Sequence, residues 1–345
     1  MKKILIGALV ALTLPLIGKT NPSLPTTPPP LSTVDAQLAE AQRDFQIAKE
    51  MFNPWYAGPL LTPSANNVPK GKFVIQPYLF FTSNYARYNG SRKSVNIPNL
   101  WTINPVFIFQ MGWLSWLDFT VTPQAIYNRQ SGQDSFFWGD TSLQWGIPFL
   151  KESPYRPAIR FVVGQTLPTG RYDKLNRKKG GIDATGAGAY TTTLSLNISK
   201  VFWWFMLHPF NWRLSLNYSF PNALLSVKNF NAYGGGFGTN GYVRPGNKMT
   251  IDTSIELSFT QRWVFALDLV YTYQNATKFS GTRGTTPAGG IAAVGAPSND
   301  NLSCAPAIEY NPSANIGFLA GVWFSVIGRN SSEFISGVLT MYYYW

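Results

Sequence analysis

The chain has 345 residues and a formal net charge of +12, and its composition excludes several classes of protein. Aromatic residues make up 15% of the chain and charged residues only 13%, whereas a soluble domain usually has about a quarter of its residues charged. Mean hydropathy is near zero, which excludes a bundle of membrane-spanning helices. Together these features favour a transmembrane β-barrel, in which each strand turns only alternate residues toward lipid.

The first 18 residues have the composition of an export signal. Lys2 and Lys3 supply a positive start, and the apolar run from Ile4 to Ile17 has the length of a signal-peptide core rather than that of a spanning helix. We therefore expect residues 1–18 to be removed on export, with cleavage after Gly18. Export makes nucleic acid a poor partner for the positive charge.

Residues 19–71 are expected to form a Pro-rich linker and a short periplasmic helix. From about Thr20 to Ser32 the chain is rich in proline and threonine, which favours an extended, solvated segment. Between Val34 and Phe52 apolar residues recur at helical spacing among polar ones. These apolar positions are Leu38, Ala41, Phe45, Ala48 and Met51. A partly disordered segment is the alternative interpretation.

From Lys72 to the end of the chain the hydrophobic period becomes that of a strand. In residues 249–259 one face is apolar apart from Thr253, and the other face is polar and includes Asp252 and Glu256. Segments of about ten residues, the length needed to cross the hydrocarbon layer, repeat this pattern. The predicted strands are Phe73–Phe81, Trp101–Met111, Leu117–Tyr127, Thr141–Phe149, Ile159–Leu167, Tyr190–Ser199, Trp212–Phe220, Met249–Phe259, Trp263–Gln274, Ser303–Tyr310, Ile316–Val326 and Phe334–Trp345.

The connections between these strands alternate in length, as they do in outer-membrane barrels with short periplasmic turns and longer outer loops. The mostly short links lie near Gly112, Glu152, Trp204, Gln261 and Pro312. The mostly longer links lie near Asn89, Gln133, Lys178, Gly235 and Gly289. We therefore predict an all-β fold over residues 72–345: a closed, antiparallel, up-and-down barrel of about twelve strands, with both ends on the periplasmic side.

The last four residues of the chain are aromatic, and the strand alternation continues to the end. A terminal aromatic residue in this setting resembles the C-terminal assembly signal of bacterial outer-membrane proteins, with Tyr343 and Trp345 on the lipid face. The pattern predicts a Gram-negative outer membrane as the location. It also predicts the outer-membrane assembly machinery and the surrounding lipid as partners.

Charged residues on the polar faces of the strands are predicted to point into the lumen. They are Asp118, Arg160, Arg213, Asp252, Glu256, Asp268 and Glu309. A ring of positively and negatively charged side chains can line a water-filled channel and set its ion preference. The alternative is that opposite charges pair and fill the interior as a packed polar core.

One predicted outer loop, residues 168–185, is rich in positive charge. Its basic residues are Arg171, Lys174, Arg177, Lys178 and Lys179, opposed by Asp173 and Asp183. Such a loop suits the phosphates of lipopolysaccharide and would also draw anionic solutes toward a pore mouth. The alternative is a loop that is merely solvated.

Catalysis has little support in the sequence, and neither a metal nor a cofactor is expected. The single histidine, His208, falls in a predicted periplasmic turn, away from the outer rim where outer-membrane hydrolases place theirs. Cys304 is the single cysteine, so neither an intramolecular disulfide nor a cysteine metal cluster can form.

Two stretches of the barrel resemble a known family. Trp138–Gly146 (WGDTSLQWG) is followed, after a turn, by Gly164–Asp173 (GQTLPTGRYD). The pair is similar to the GDt-l-lk strand and the lPTG-yd strand end of the outer-membrane transporter-like family named for the MetA pathway of phenol degradation. The resemblance implies a barrel that passes small hydrophobic or aromatic compounds. The Pro-rich, helical N-terminal extension departs from that family's pattern.

Three functions therefore remain to be weighed. The first is a channel or facilitator for small solutes, including hydrophobic or aromatic ones. The second is a structural or adhesive surface protein whose barrel is closed by side chains. The third, an outer-membrane lipid hydrolase, would require activity without His208.

Overall fold

A computed structural model describes residues 30–51, 54–203 and 208–345, so the expected export signal lies outside the described residues. The chain divides into two compact units at Gln46. Helix α1, Leu31–Met51, begins in the first unit and ends in the first residues of the second, and it confirms the helix expected there. Within the described ranges, no helix combines the length and apolar composition needed to cross a membrane.

The second unit is built from β-strands. In chain order they are β1 Phe73–Tyr88, β2 Ser94–Leu114, β3 Leu117–Thr122, β4 Ala125–Gln130, β5 Gln133–Trp138, β6 Thr141–Leu150, β7 Ala158–Leu167, β8 Thr191–Phe202, β9 Phe210–Pro221, β10 Leu225–Lys228, β11 Asn240–Arg244, β12 Lys248–Ser258, β13 Trp263–Gln274, β14 Lys278–Thr282, β15 Asn299–Ser313, β16 Ile316–Arg329 and β17 Ser332–Tyr344. A short 3-10 helix, Arg177–Lys179, lies between β7 and β8.

Fourteen of these strands form one antiparallel sheet, which closes because β1 hydrogen-bonds to both β2 and β17. Strands β3 and β4 form a single crossing that is interrupted at Pro123, which has no N–H to donate. Strands β5 and β6 form the next crossing, and the N–H of Gly139 between them donates to the carbonyl of Gln124. The barrel therefore has twelve crossings, as predicted. Closure leaves no strand edge exposed to lipid.

The alternation of side chains is the one read from the sequence. On β12, Ser254 is 2% exposed and Ile255 is 41% exposed. On β17, Val338 is 1% exposed and Leu339 is 51% exposed. Polar and small residues therefore fill the inside of the barrel, and large apolar residues face outward.

The strands are longer at their outer ends than predicted. Strand β1 continues to Tyr88, and β2 already begins at Ser94, although the predicted segments ended at Phe81 and began at Trp101. Above the membrane both faces of a strand meet water, so the apolar alternation fades while backbone pairing continues. For the same reason the sequence did not predict a separate three-stranded sheet of β10, β11 and β14. The residues of this sheet were expected to lie in outer loops.

Candidate functional site

The lumen of the barrel contains a stretch of the chain itself, residues 54–71, which we call the inner segment. The buried carboxylate of Asp268 on β13 holds its centre. Asp268 accepts the backbone N–H of Leu60 at 3.0 Å and that of Thr62 at 2.9 Å, and it also accepts the Thr62 hydroxyl at 2.7 Å. An irregular backbone has no strand partner for these donors, so a lumen carboxylate takes that place.

Two further carboxylates hold the inner segment on either side of Asp268. Near its start, Glu309 Oε1 accepts the backbone N–H of Ala57 at 2.5 Å. Near its end, Asp118 Oδ2 accepts the backbone N–H of Val68 at 3.1 Å. The contacts therefore come from β13, β15 and β3, and they fix the segment across the width of the barrel.

Both lumen arginines are paired with carboxylates. Arg160 Nη2 lies 2.5 Å from Asp118 Oδ1, and Arg213 Nε lies 2.7 Å from Glu256 Oε2. Arg160 also donates to the carbonyl oxygen of Ser64 in the inner segment at 3.4 Å. All four charged groups are buried, so removing one partner would leave the other charge uncompensated.

Glycines on β16 make room for the inner segment. A Cβ built on Gly321 would lie 2.5 Å from Leu60 Cδ1, and one built on Gly317 would overlap the Cβ of Ala57. These distances are shorter than non-bonded carbon atoms allow. A Cβ on Gly321 would also lie 2.5 Å from the backbone oxygen of Pro306 on β15, so the neighbouring strand and the inner segment both favour glycine there.

Leu60 anchors the inner segment in an apolar patch of the barrel interior. It packs with Leu319 and Val338, both almost fully buried, and Phe80 and Trp323 contact the same cluster. The buried members of this apolar patch lie on β13 and β15–β17. Burial of a leucine side chain in such a cluster contributes about 1.5–3 kcal/mol.

Tyr56 ties the start of the inner segment to the periplasmic turn before β9. Its hydroxyl donates to the carbonyl oxygen of Pro209 at 3.0 Å. Burial raises the pKa of the Tyr56 phenol above its ordinary value. The hydroxyl therefore stays protonated and keeps this hydrogen bond throughout the physiological pH range.

A cavity of about 640 Å³ lies between the inner segment and the barrel wall. Polar side chains that line it include Gln76, Gln110, Thr120, Gln144, Ser195, Asn197 and Asn217. Apolar and aromatic side chains that line it include Tyr56, Val74, Tyr78, Ile108, Val162, Tyr342 and Tyr344. A space of this size and mixed lining can hold a small organic molecule.

The seven predicted lumen charges all lie on barrel strands and are all buried: Asp118, Arg160, Arg213, Asp252, Glu256, Asp268 and Glu309. Four of them form the two ion pairs, and four bind the inner segment, with Asp118 and Arg160 in both groups. Asp252 Oδ1 has no hydrogen-bond partner in the described part of the chain. Their role in ion selectivity stays a prediction.

The sequence predicts a linker and a periplasmic helix for residues 19–71 and leaves open whether this segment enters the lumen, so the inner segment was not predicted. A signal for it is present, because residues 54–69 contain no charged side chain and have prolines at positions 54, 59, 63 and 69. Proline has no N–H, so each one removes a donor that the lumen would otherwise have to satisfy.

Two of the five basic residues in the predicted basic loop contact other groups of the protein. Arg171 lies 3.6 Å from Asp183 and stacks over the ring of Phe137 at 4.8 Å. Lys179 Nζ donates to the backbone carbonyl of Asp134 at 2.5 Å. The other three basic residues, Lys174, Arg177 and Lys178, are exposed. Binding of lipopolysaccharide by this loop stays a prediction.

The predicted assembly signal lies at the seam that closes the barrel. Phe73 and Trp345 exchange backbone hydrogen bonds of 3.0 and 3.1 Å, and their rings stack at 5.5 Å. Tyr343 stacks on Trp345 at 5.2 Å, and both rings are partly exposed on the outer face. Recognition of these residues during assembly is not tested by this geometry.

His208 lies beside Pro209 in the turn before β9, where its Nδ1 is 3.1 Å from the carbonyl oxygen of Ser258. No cluster of three or more potential metal ligands occurs within residues 30–51, 54–203 and 208–345. The described site therefore consists of a polar lumen, an inner segment and the cavity between them.

This barrel is similar to solved outer-membrane structures. The COG4313 outer membrane channel from Pseudomonas putida F1 has a TM-score of 0.63 at 12% identity, covering 83% of this chain and 100% of that chain. The translocator domain of the autotransporter NalP from Neisseria meningitidis has a TM-score of 0.43 at 10% identity, covering 90% of this chain and 97% of that one. The NanC porin has a TM-score of 0.40 at 9% identity, covering 77% and 98%. The first similarity shows a shared fold.

No protein-family model and no curated protein matches the chain. The resemblance to the family named for the MetA pathway therefore stays a prediction.

Proposed function

We propose that this protein is a channel of the Gram-negative outer membrane that passes small solutes. The cavity of about 640 Å³ inside a closed barrel is the observation that carries the proposal. A barrel whose only role was structural would gain nothing from an internal space bounded by polar and aromatic side chains. The fold shared with an outer-membrane channel supports the same class.

The outer surface of the barrel supports the membrane location. Outward-facing residues such as Leu216, Ile308 and Phe318 are large, apolar and exposed. Exposed tryptophans, including Trp101 within β2 and Trp263 at the start of β13, suit the two membrane interfaces. In water such a continuous apolar belt would aggregate, whereas in lipid it is solvated.

Small hydrophobic or aromatic compounds are the solute class that we propose. The family resemblance implies that class, and the lining of the cavity supports it more directly. Tyr56, Tyr78, Tyr342 and Tyr344 line the cavity, and their rings can stack on an aromatic guest. Polar side chains that line the same cavity, such as Gln110 and Gln144, would orient a hydroxyl substituent.

Transport is best tested with the purified full-length protein in liposomes. We expect faster uptake of small uncharged aromatic compounds such as phenol or cresol than of a sugar of similar size. Planar-bilayer recording should show reproducible conductance steps. A folded barrel that gives neither uptake nor steps would reject the channel function.

A closed structural or adhesive barrel is the second candidate, because the inner segment occupies the lumen and is bound at three carboxylates. This candidate predicts an electrically silent barrel whose solute permeability is that of empty liposomes. It also predicts that loosening the inner segment creates permeability that the native protein lacks. A hydrolase has no support from the lumen, and a lipid-hydrolysis assay with wild type and a His208→Ala variant would test it.

A further inference from the structure

The outer sheet of β10, β11 and β14 has one buried face and one exposed face. Val227 and Val243 belong to the buried face and are almost inaccessible to solvent. The opposite face carries Lys228, Tyr242, Arg244, Lys278, Ser280 and Thr282, all of them exposed. We call these six residues the outer basic face. It is distinct from the predicted basic loop, which lies between β7 and β8.

Two of the three positive charges on this face are direct neighbours in the register of the sheet. Arg244 of β11 pairs directly with Lys278 of β14, whereas Lys228 of β10 pairs with Asn240 at the other end of β11. Cβ atoms of directly opposed residues are about 5 Å apart, and like charges in such a pair are destabilising. The arrangement therefore favours a bound anion that offsets the repulsion.

Neither connection that builds the sheet contains a carboxylate. Residues 222–247 and 275–298 have no aspartate and no glutamate, although they contain Lys228, Arg244, Lys278 and Arg283. The charge of the outer basic face is thus not balanced from within its own loops. The basic loop between β7 and β8 differs, because Asp183 pairs there with Arg171.

The outer basic face is positioned just beyond the barrel strands. Lys248 of β12 pairs with Gln274 of β13. Four residues away along the chain on each side, Arg244 of β11 pairs with Lys278 of β14 in the same register. Four extended residues span about 13 Å. The charges therefore lie in the polar zone above the end of the barrel, beyond the exposed ring of Tyr218.

We propose that the outer basic face binds the phosphate groups of lipopolysaccharide in the outer leaflet. This inference rests on the outer-membrane location in the proposed function. Two lysines and an arginine supply charge-assisted donors, and the hydroxyls of Ser280, Thr282 and Tyr242 can bind the sugar oxygens around a phosphate. The area is a surface rather than a pocket, which suits a large, abundant membrane lipid.

A translocated anion is a poorer occupant. The lumen below contains five buried carboxylates, Asp118, Asp252, Glu256, Asp268 and Glu309, and two arginines. An anion concentrated at the mouth would meet an excess of negative charge inside the barrel. A ligand that stays at the surface avoids that barrier.

The test compares two triple variants of the full-length protein in detergent, with matched changes in charge. Lys228→Gln, Arg244→Gln and Lys278→Gln remove the charge of the outer basic face. Lys174→Gln, Arg177→Gln and Lys178→Gln remove the same charge from the exposed part of the basic loop. Binding of labelled lipopolysaccharide is measured for each, beside the same lipid after phosphatase treatment, with the heat-modifiable gel shift as the folding control.

We expect the first triple variant to lose about tenfold in affinity, because it removes three exposed charges whose individual contributions are modest and add together. If the outer basic face rather than the basic loop holds the phosphates, the second triple variant should bind as wild type does, which would reject the sequence-based prediction for the basic loop. The dephosphorylated lipid should bind weakly to all three proteins. Equal losses in both triple variants, or unchanged binding in the first, would overturn the proposal. So would a loss of anion current in the first variant while lipid binding is retained.

Bilayer conductance of the same samples separates this proposal from the channel function. A silent barrel that still binds phosphorylated lipid through the outer basic face would reject the channel and support the lipid site. If the wild-type protein conducts and the first triple variant binds lipid as well as wild type does, the channel function is supported and the lipid site is rejected.

Discussion

The backbone N–H of Leu60 donates to the Asp268 carboxylate at 3.0 Å, which joins two residues 208 positions apart in the chain. The contact holds the chain that precedes β1 against a strand on another side of the lumen. It also means that a buried carboxylate on β13 serves a backbone that is not part of the sheet. Permeability and stability should therefore both depend on this contact and on the similar contacts made by Glu309 and Asp118.

Replacing Asp268 with asparagine should loosen the inner segment. Asp268 accepts three hydrogen bonds from Leu60 and Thr62, and an amide keeps one acceptor oxygen while turning N–H groups toward donors. We expect larger or longer conductance steps in planar bilayers than for wild type. Asp252→Asn is the control, because Asp252 Oδ1 has no hydrogen-bond partner in the described residues. Equal effects of both variants would contradict the assigned role of Asp268.

A side chain at Gly321 should displace the inner segment from the wall. A Cβ there would lie 2.5 Å from Leu60 Cδ1, whereas one built on Gly337 of β17 would meet nothing within 4 Å. We therefore expect Gly321→Val to lower the temperature of the heat-modifiable gel shift and to raise conductance. Gly337→Val should leave both nearly unchanged. Identical behaviour of the two valine variants would rule out the close approach.

Removing the charge of Asp118 should destabilise the barrel strongly. Its partner Arg160 is buried and lies 2.5 Å away, so Asp118→Asn leaves a buried guanidinium without a counter-charge. The expected loss is about 3–5 kcal/mol in the free energy of unfolding, measured by denaturant titration in lipid vesicles. The double variant Asp118→Asn with Arg160→Met should recover part of that loss. A double variant no more stable than Asp118→Asn would show that the ion pair is not the cause.

Neutralising Asp252 and Glu256 should weaken the preference for cations over anions. Both are buried on the lumen face of β12, and the lumen as a whole has more carboxylates than arginines. Reversal potentials measured across a salt gradient should shift toward the anion side in the Asp252→Asn, Glu256→Gln variant. Asp173→Asn in the outer loop serves as the control for a change in net charge. An unchanged reversal potential would remove both residues from the selectivity set.

Substitution of Trp345 should reduce assembly of the barrel in cells. The residue exchanges two backbone hydrogen bonds with Phe73, and its ring stacks on Phe73 and Tyr343 at the closing seam. We expect Trp345→Ala to lower the folded fraction in the membrane, measured by the heat-modifiable gel shift. Trp101→Ala removes an exposed tryptophan from β2 at a position ten residues from Met111, the strand partner of Phe73, and should assemble normally. Equal losses would point to lipid contact in general rather than to the terminal position.

The sequence predicted the barrel well because the membrane imposes a local rule. Residues 249–259 alternate between apolar and polar because one face of β12 meets hydrocarbon and the other meets the lumen. This alternation can be read from adjacent residues alone. The inward direction of Asp252, Glu256 and Asp268 followed from the same parity. Where hydrocarbon ends, the rule ends too, and the extensions of β1 and β2 and the outer sheet were missed for that reason.

The partners of the inward residues could not be obtained in this way. The alternation along β13 shows that Asp268 points inward. Its binding of Leu60, however, depends on the path of the inner segment, which has no periodic pattern. The pairing of Arg244 with Lys278 likewise depends on the register of β11 and β14. Local alternation thus determined the class of fold, the strand count and the direction of each side chain. The tertiary structure alone decided which buried charges meet, because those contacts join residues far apart in the chain.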